Sequence, residues 1–211
     1  MHAKKWDKRQ NSMIKKQRLS LDEVVPGETY EECLLLYSAD RIRIDSVKFK
    51  NCEFQQTDFS DSEWLDCQLE KCHFLNNDFT SSVFYRTTFE KCQLMGVDFS
   101  NNQWKNTLVT NSKADYINPS GSKIENSQFE KSSLIGSYFQ DVTIKKSLKF
   151  LQCELDKTDF LGTSLLGVNI SSSYFETMNV TTDQVRGCII SPQQAIAFVS
   201  LLGVKINNDV S

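Results

Sequence analysis

Proline and glycine are scarce in this 211-residue chain, with three Pro and eight Gly. That excludes a collagen-like or linker composition. Histidine occurs only at positions 2 and 73, and there is no CxxC, HExxH, GxSxG or Gly-rich phosphate loop. The motifs of zinc sites, metalloproteases, hydrolases and nucleotide-binding enzymes are therefore missing. No apolar run approaches the ~18 residues expected of a transmembrane helix. No such run follows the basic N-terminus either, so neither a secretory signal nor a membrane partner is expected. Seven Cys then read as free thiols in a reducing, cytoplasmic setting.

Charge is unevenly spread. Residues 1–22 carry a net +5 and the remainder a net −8, from an overall −3. A basic arm (Lys4, Lys5, Lys8, Arg9, Lys15, Lys16, Arg18) thus precedes an acidic body.

The dominant feature is a five-residue beat. From Phe49 it runs through Phe54, Phe59, Trp64, Leu69, Phe74, Phe79, Phe84 and Phe89 to Ile144, broken clearly only by Pro119. It slips one residue between Lys145 and Lys149, then resumes at Phe150 and runs to Ile190. Thirteen of the 14 Phe lie on these two series, which leaves Phe198 as the outlier. Two residues before each large residue sits a small one, such as Cys52, Thr57, Ser62, Cys67, Cys72, Asn77 or Ser82; Cys33 falls outside the pattern. A period of five fits neither helix nor strand. A chain that returns a large and a small residue inward every five residues must turn a corner every five, and four corners close a square coil. Coils stack at ~4.8 Å and bury one another's faces. The expected fold is all-β: a right-handed quadrilateral β-helix ending in a short α-helix. The expected division is a basic arm and cap over 1–33, the β-helix over 34–190, and a helical tail over 191–211.

Positions 20 apart stack, so surface columns can be read directly. Asp58, Asp78, Asp98, Asn118, Tyr138 and, after the slip, Asp159 form one column, flanked by Asp61 and Asp141. Stacked like charges repel. The column is either ordinary solvated surface or an anionic stripe that attracts a cationic cleft. Glu70, Glu90 and Glu130 form a second column, but each is followed by Lys, which marks a neutralised wall.

In the tail, Ser191 is an N-cap, Pro192 fits the first helical turn and Gly203 the stop, giving a helix over about 192–202. Its apolar residues cover nearly the whole circumference. One stripe can cap the coil, while Ile196, Phe198, Val199, Leu201 and Leu202 are candidates for a homodimer interface. Refolding of Val204 and Ile206 over the helix is the single-chain alternative. Cys72 and His73 are adjacent but fall on inward and outward positions, so no metal is expected. No cofactor and no enzymatic activity are expected.

The beat, with its Phe or Leu centre and Cys, Ser or Thr two residues earlier, resembles the pentapeptide-repeat family across residues 44–190. The acidic body together with SPQQAIAFVSLLGV resembles the Qnr and MfpA branch of that family. The resemblance implies a DNA-mimic dimer that binds DNA gyrase and also topoisomerase IV and gives protection against quinolones, with no direct nucleic-acid binding. It implies that Asp58, Asp78, Asp98 and Asp159 act as phosphate-like groups; coils at ~4.8 Å make that stripe sparser than duplex phosphates, so charge on the other faces is expected to help. The large loops of some Qnr proteins are absent, which weakens the drug-protection expectation. The alternative is a structural or adaptor repeat protein with a different partner.

Overall fold

The computed structural model describes residues 12–205. Every five residues the chain turns at a residue in the left-handed region: Asp61, Asp66, Lys71 and Asn76 have φ of 56°, 54°, 55° and 54°. Asn and Asp tolerate that conformation best among residues with a Cβ, and both are frequent at these corners. Four corners return the chain to its starting face 20 residues on, where the strands pair in parallel. Phe84 lies between Trp64 and Trp104, and Phe89 between Leu69 and Val109. The fold is a right-handed quadrilateral β-helix with one short C-terminal helix. Its four walls are named here by their central residues: Phe49, Phe54, Phe59 and Trp64.

The large residues fill the interior as aromatic stacks. Phe59 and Phe79 are parallel to within 8° at 4.7 Å, and Phe79 continues to Phe99 at 5.4 Å. Each fully buried ring contributes about 1.5–3 kcal/mol. The small inward residues have a polar task as well. Where the small inward residue is Ser, Thr or Cys, its hydroxyl or thiol commonly bonds the carbonyl of a central residue in the preceding coil. Ser82 Oγ donates to Phe59 O at 2.9 Å, Thr87 Oγ1 to Trp64 O at 2.8 Å, and Cys92 Sγ to Leu69 O at 3.2 Å. This accounts for Ser, Thr and Cys at these positions, since a buried unpaired carbonyl is costly. Burial pushes the Cys52 and Cys153 thiols up to about 11 and those of Cys67 and Cys92 to about 12. These thiols stay protonated and unreactive at neutral pH.

The ladder begins upstream of residue 34. Met13–Lys15 pairs with Thr29–Glu31, which pairs with Lys48–Lys50, and Arg18–Ser20 pairs with Leu34–Leu36. Ile14 to Tyr30 spans 16 residues and Tyr30 to Phe49 spans 19, so these coils are shorter than the 20-residue norm. Cys33 is buried on the inward column, with its carbonyl accepting from Glu53 N–H at 3.0 Å. Lys15 and Lys16 of the expected arm pair with Glu31 and Glu32. Lys4, Lys5, Lys8 and Arg9 lie outside the described residues.

Two local departures are instructive. Thr57 is exposed, and its neighbour Gln56 is buried instead. Gln56 accepts from Ser38 N–H at 3.1 Å and donates to Asp58 O at 2.6 Å, tying down the shortened coil beneath it. The slip near Lys145 is a β-bulge. Glu125 faces Lys145 but Ser127 faces Leu148, so one residue, Asn126, opposes two.

At the far end Asn169 bridges Ile189. Helix Ala195–Val199 and a 3₁₀ turn Ser200–Leu202 follow, shorter than the span expected. Ser191 caps the turn, with Gln194 N–H donating to its Oγ at 3.4 Å. The buried Gln194 amide donates to Ile170 O at 2.9 Å and Ser173 O at 2.6 Å, so it closes the open end of the coil. Phe198 packs on Phe175 at 5.5 Å.

Candidate protein-interaction face

The Phe59 wall is where the expected Asp column falls. Asp58, Asp78, Asp98 and Asn118 are successive parallel bridge partners, and Tyr138 bridges Asp159. The stacking follows from the ladder: Phe59 N–H donates to Asp78 O, Phe79 N–H to Asp98 O, and Phe99 N–H to Asn118 O. Pro119 has no N–H to give to Tyr138 O. Ser120 Oγ donates to that carbonyl instead, at 3.1 Å, so the wall stays continuous.

Asp belongs at this position for a local reason. Each carboxylate bonds the backbone two residues on and braces the corner. Asp58 Oδ1 accepts from Ser60 N–H at 2.9 Å, Asp78 Oδ1 from Thr80 N–H at 2.7 Å, Asp98 Oδ1 from Ser100 N–H at 2.8 Å, and Asp159 Oδ1 from Leu161 N–H at 2.9 Å. Asn118 makes the same turn, so a charge is not required for it. The Ser60 hydroxyl, followed by its N–H, holds Asp58 below the usual carboxylate range. Asp98 also accepts from Asn118 Nδ2, and Asp159 from Gln140 and Asn179.

Asp61 and Asp141 occupy the adjoining corner, with φ of 56° and 52°. They are four coils apart, one beside Asp58 and the other near Asp159. The Asp141 carboxylate lies under Gly162, where any Cβ would collide with it.

Across 57–61, 77–81, 97–101, 117–121, 137–141 and 158–162 the sequence holds six Asp and neither Lys nor Arg. Among the described residues none of the six forms an ion pair. The opposite wall differs. Lys48 and Lys50 both lie 3.6 Å from Glu70, Lys91 lies 3.1 Å from Glu90 and Lys131 lies 3.7 Å from Glu130. The expectation that other walls add negative charge does not hold for the Trp64 wall. There Lys105 and Lys146 flank Glu125, and Lys123 and Lys145 add further positive charge. The Phe54 wall does add negative charge, with Glu53, Asp115, Glu154, Asp156 and Glu176 against Lys113 and Lys157, so the acidity lies on the Phe59 and Phe54 walls and is purest on the first.

The tail residues divide. Ala197, Phe198 and Leu201 pack on the coil end, whereas Ile196 and Leu202 are 63% and 71% exposed. Val199 is half-buried and Val204 exposed, while Ile206 lies outside the described residues. Cys72 is buried and His73 exposed, so their side chains leave the wall in opposite directions. No helix among the described residues is long and apolar enough to cross a membrane. Gln194 and the exposed Tyr116 are features that a search for charged columns passes over.

These features define a quadrilateral β-helix built on a five-residue repeat, with an unpaired anionic wall. The family model described as a pentapeptide repeat region matches residues 42–119. The fold is similar to that of trypsin-treated QnrB1, a plasmid-mediated fluoroquinolone resistance protein, with 19% identity, a TM-score of 0.51, and 93% of this chain and 100% of that chain covered. A pentapeptide repeat protein of the Arabidopsis thaliana thylakoid lumen aligns at 19% identity and TM-score 0.37, over 47% of this chain and 66% of that one. HetL of the cyanobacterium Nostoc, involved in heterocyst differentiation regulation, aligns at 12% identity and TM-score 0.28, over 84% of this chain and 83% of that one. No curated protein matches the sequence.

Proposed function

We propose that this protein is a Qnr-type DNA mimic that binds and inhibits DNA gyrase, with topoisomerase IV as a second target, and so protects against quinolones. The observation that carries the reading is the Phe59 wall: stacked carboxylates without ion pairs on a rigid rod. Such a wall presents negative charge to a groove that normally holds duplex phosphates. Duplex phosphates recur every ~3.4 Å per strand and coils every ~4.8 Å, so the match is one of field rather than of register. The Phe49 wall, with its Glu–Lys pairs, then faces away from the groove, and the Lys-bearing Trp64 wall flanks it. Exposed Ile196 and Leu202 at the coil end support a homodimer that doubles the rod. A cytoplasmic location accompanies this target.

The corner-bracing role of the Asp side chains favours a second reading, an adaptor for another partner, in which the column is structural alone. A supercoiling assay with purified gyrase, with and without a quinolone, separates the two. The proposed function predicts dose-dependent inhibition and reduced quinolone-stabilised cleavage. Unaltered supercoiling and cleavage at micromolar protein would leave the adaptor reading.

A further inference from the structure

The carboxylate column is interrupted at two successive coils, by Asn118 and Tyr138, before it resumes at Asp159. Tyr138 is 47% exposed there. At the corner leading into Asn118, Tyr116 is 54% exposed with φ of 59°. Among the described residues it is the one aromatic side chain in the left-handed region. A bulky residue is strained there, and such strain persists where something other than local stability retains it.

The ring of Tyr116 lies over Gly136, where a Cβ would come within 2.7 Å of Cε1. Gly136 is two residues before Tyr138, so the ring of Tyr116 reaches the coil that carries Tyr138. Other corners cover their glycine with Asn: Asn76 lies over Gly96 and Asn101 over Gly121. The corner therefore does not need an aromatic ring. Where the column loses its Asp, two exposed tyrosines stand.

We infer that Tyr116 and Tyr138 are the aromatic anchor of the acidic wall and receive guanidinium groups from a basic protein groove. The inference rests on the reading of the Phe59 wall as a docking surface. Aromatic residues set within a charged patch are the usual energetic centre of an interface. Arg stacks on Tyr while bonding a nearby carboxylate, and Asp98 and Asp159 stand on either side. The molecule makes this arrangement internally: the Arg86 guanidinium lies 4.0 Å from the Tyr85 ring centroid and bonds the Asp66 carboxylate one coil away. A nucleic acid is disfavoured as the occupant because its phosphates would meet six Asp.

The test is the double variant Tyr116→Asn/Tyr138→Asn, with gyrase affinity measured over a salt series and melting temperature recorded. The melting temperature is expected to hold or rise, because Asn suits the left-handed corner and Asn118 already makes the column's turn. Affinity is expected to fall at least ~10-fold. The salt slope is expected to stay unchanged, since no charge is removed. Tyr116→Phe/Tyr138→Phe is expected to bind like the wild type. Unchanged affinity of the Asn variant overturns the anchor and leaves the acidic wall standing. Weaker binding together with a lower melting temperature makes the rings structural and also overturns it. Absence of wild-type binding removes the docking reading beneath it.

Discussion

The Phe49 and Phe59 walls stand on opposite sides of the same coil and are built by the same repeat, yet they hold their carboxylates in different ways. On the Phe49 wall, Glu follows the central residue and reaches sideways to Lys48, Lys50, Lys91 or Lys131. On the Phe59 wall, Asp precedes the central residue and turns back on its own corner. The shorter side chain is absorbed by the backbone and its charge is left uncompensated. Two steps along the repeat thus separate a wall of paired carboxylates from one of unpaired carboxylates, with no change in fold.

The largest stability effect should come from beneath the charged wall. Phe79 is fully buried between Phe59 and Phe99. Phe79→Ala should cost about 3–5 kcal/mol in denaturant unfolding. It should also weaken partner binding by tilting Asp78, which would link the charged face to the stack that aligns it.

In the proposed homodimer the tail sets the length of that face. Leu202→Glu should convert a dimer to a monomer by light scattering while leaving the circular dichroism spectrum unchanged. An unaltered dimeric mass would remove the exposed helix from the interface.

A smaller effect should appear at an inward position whose polar groups are left unpaired. Asn102 Nδ2 and Trp104 Nε1 are buried without hydrogen-bond partners, whereas Trp64 Nε1 donates to Ser62 Oγ at 2.8 Å. Asn102→Ser restores that arrangement, and its hydroxyl can still accept from Ser82 N–H, as Ser82 Oγ does from Ser62 N–H. It should raise stability by about 1–3 kcal/mol. A lower melting temperature would contradict the pairing.

The smallest effect separates local bracing from charge pairing. Asp58 titrates below its unfolded value of 3.8 because of Ser60. A depressed folded value contributes stability that is complete above the unfolded value and lost as pH falls through the folded one. Ser60→Ala should therefore raise the Asp58 pKa by NMR and slightly reduce stability above about pH 4, with little effect in stronger acid.

The β-helix from residue 44 to 190 was legible because a five-residue beat has no competing explanation. The upstream coils were not, because steps of 16 and 19 residues between Ile14, Tyr30 and Phe49 defeat a fixed count. The bulge at Lys145–Lys149 was readable as a slip, whereas the exchange of Thr57 for Gln56 was not, since it depends on contacts with Ser38. The Asp column was readable from 20-residue spacing. The bonds that place Asp there, the Lys-rich Trp64 wall and Gln194 at the coil end emerge only once side chains meet their neighbours.

The central claim, that the unpaired Asp wall is the binding surface, is tested most directly by two matched triple variants in the gyrase supercoiling assay. Asp58→Asn/Asp78→Asn/Asp98→Asn keeps the corner turns and removes three charges. Glu70→Gln/Glu90→Gln/Glu130→Gln removes three charges from the opposite wall. The account predicts at least ~10-fold weaker inhibition and a shallower salt dependence for the Asp set, and near wild-type inhibition for the Glu set. Equal losses in both sets, or full inhibition by the Asp set, would contradict it.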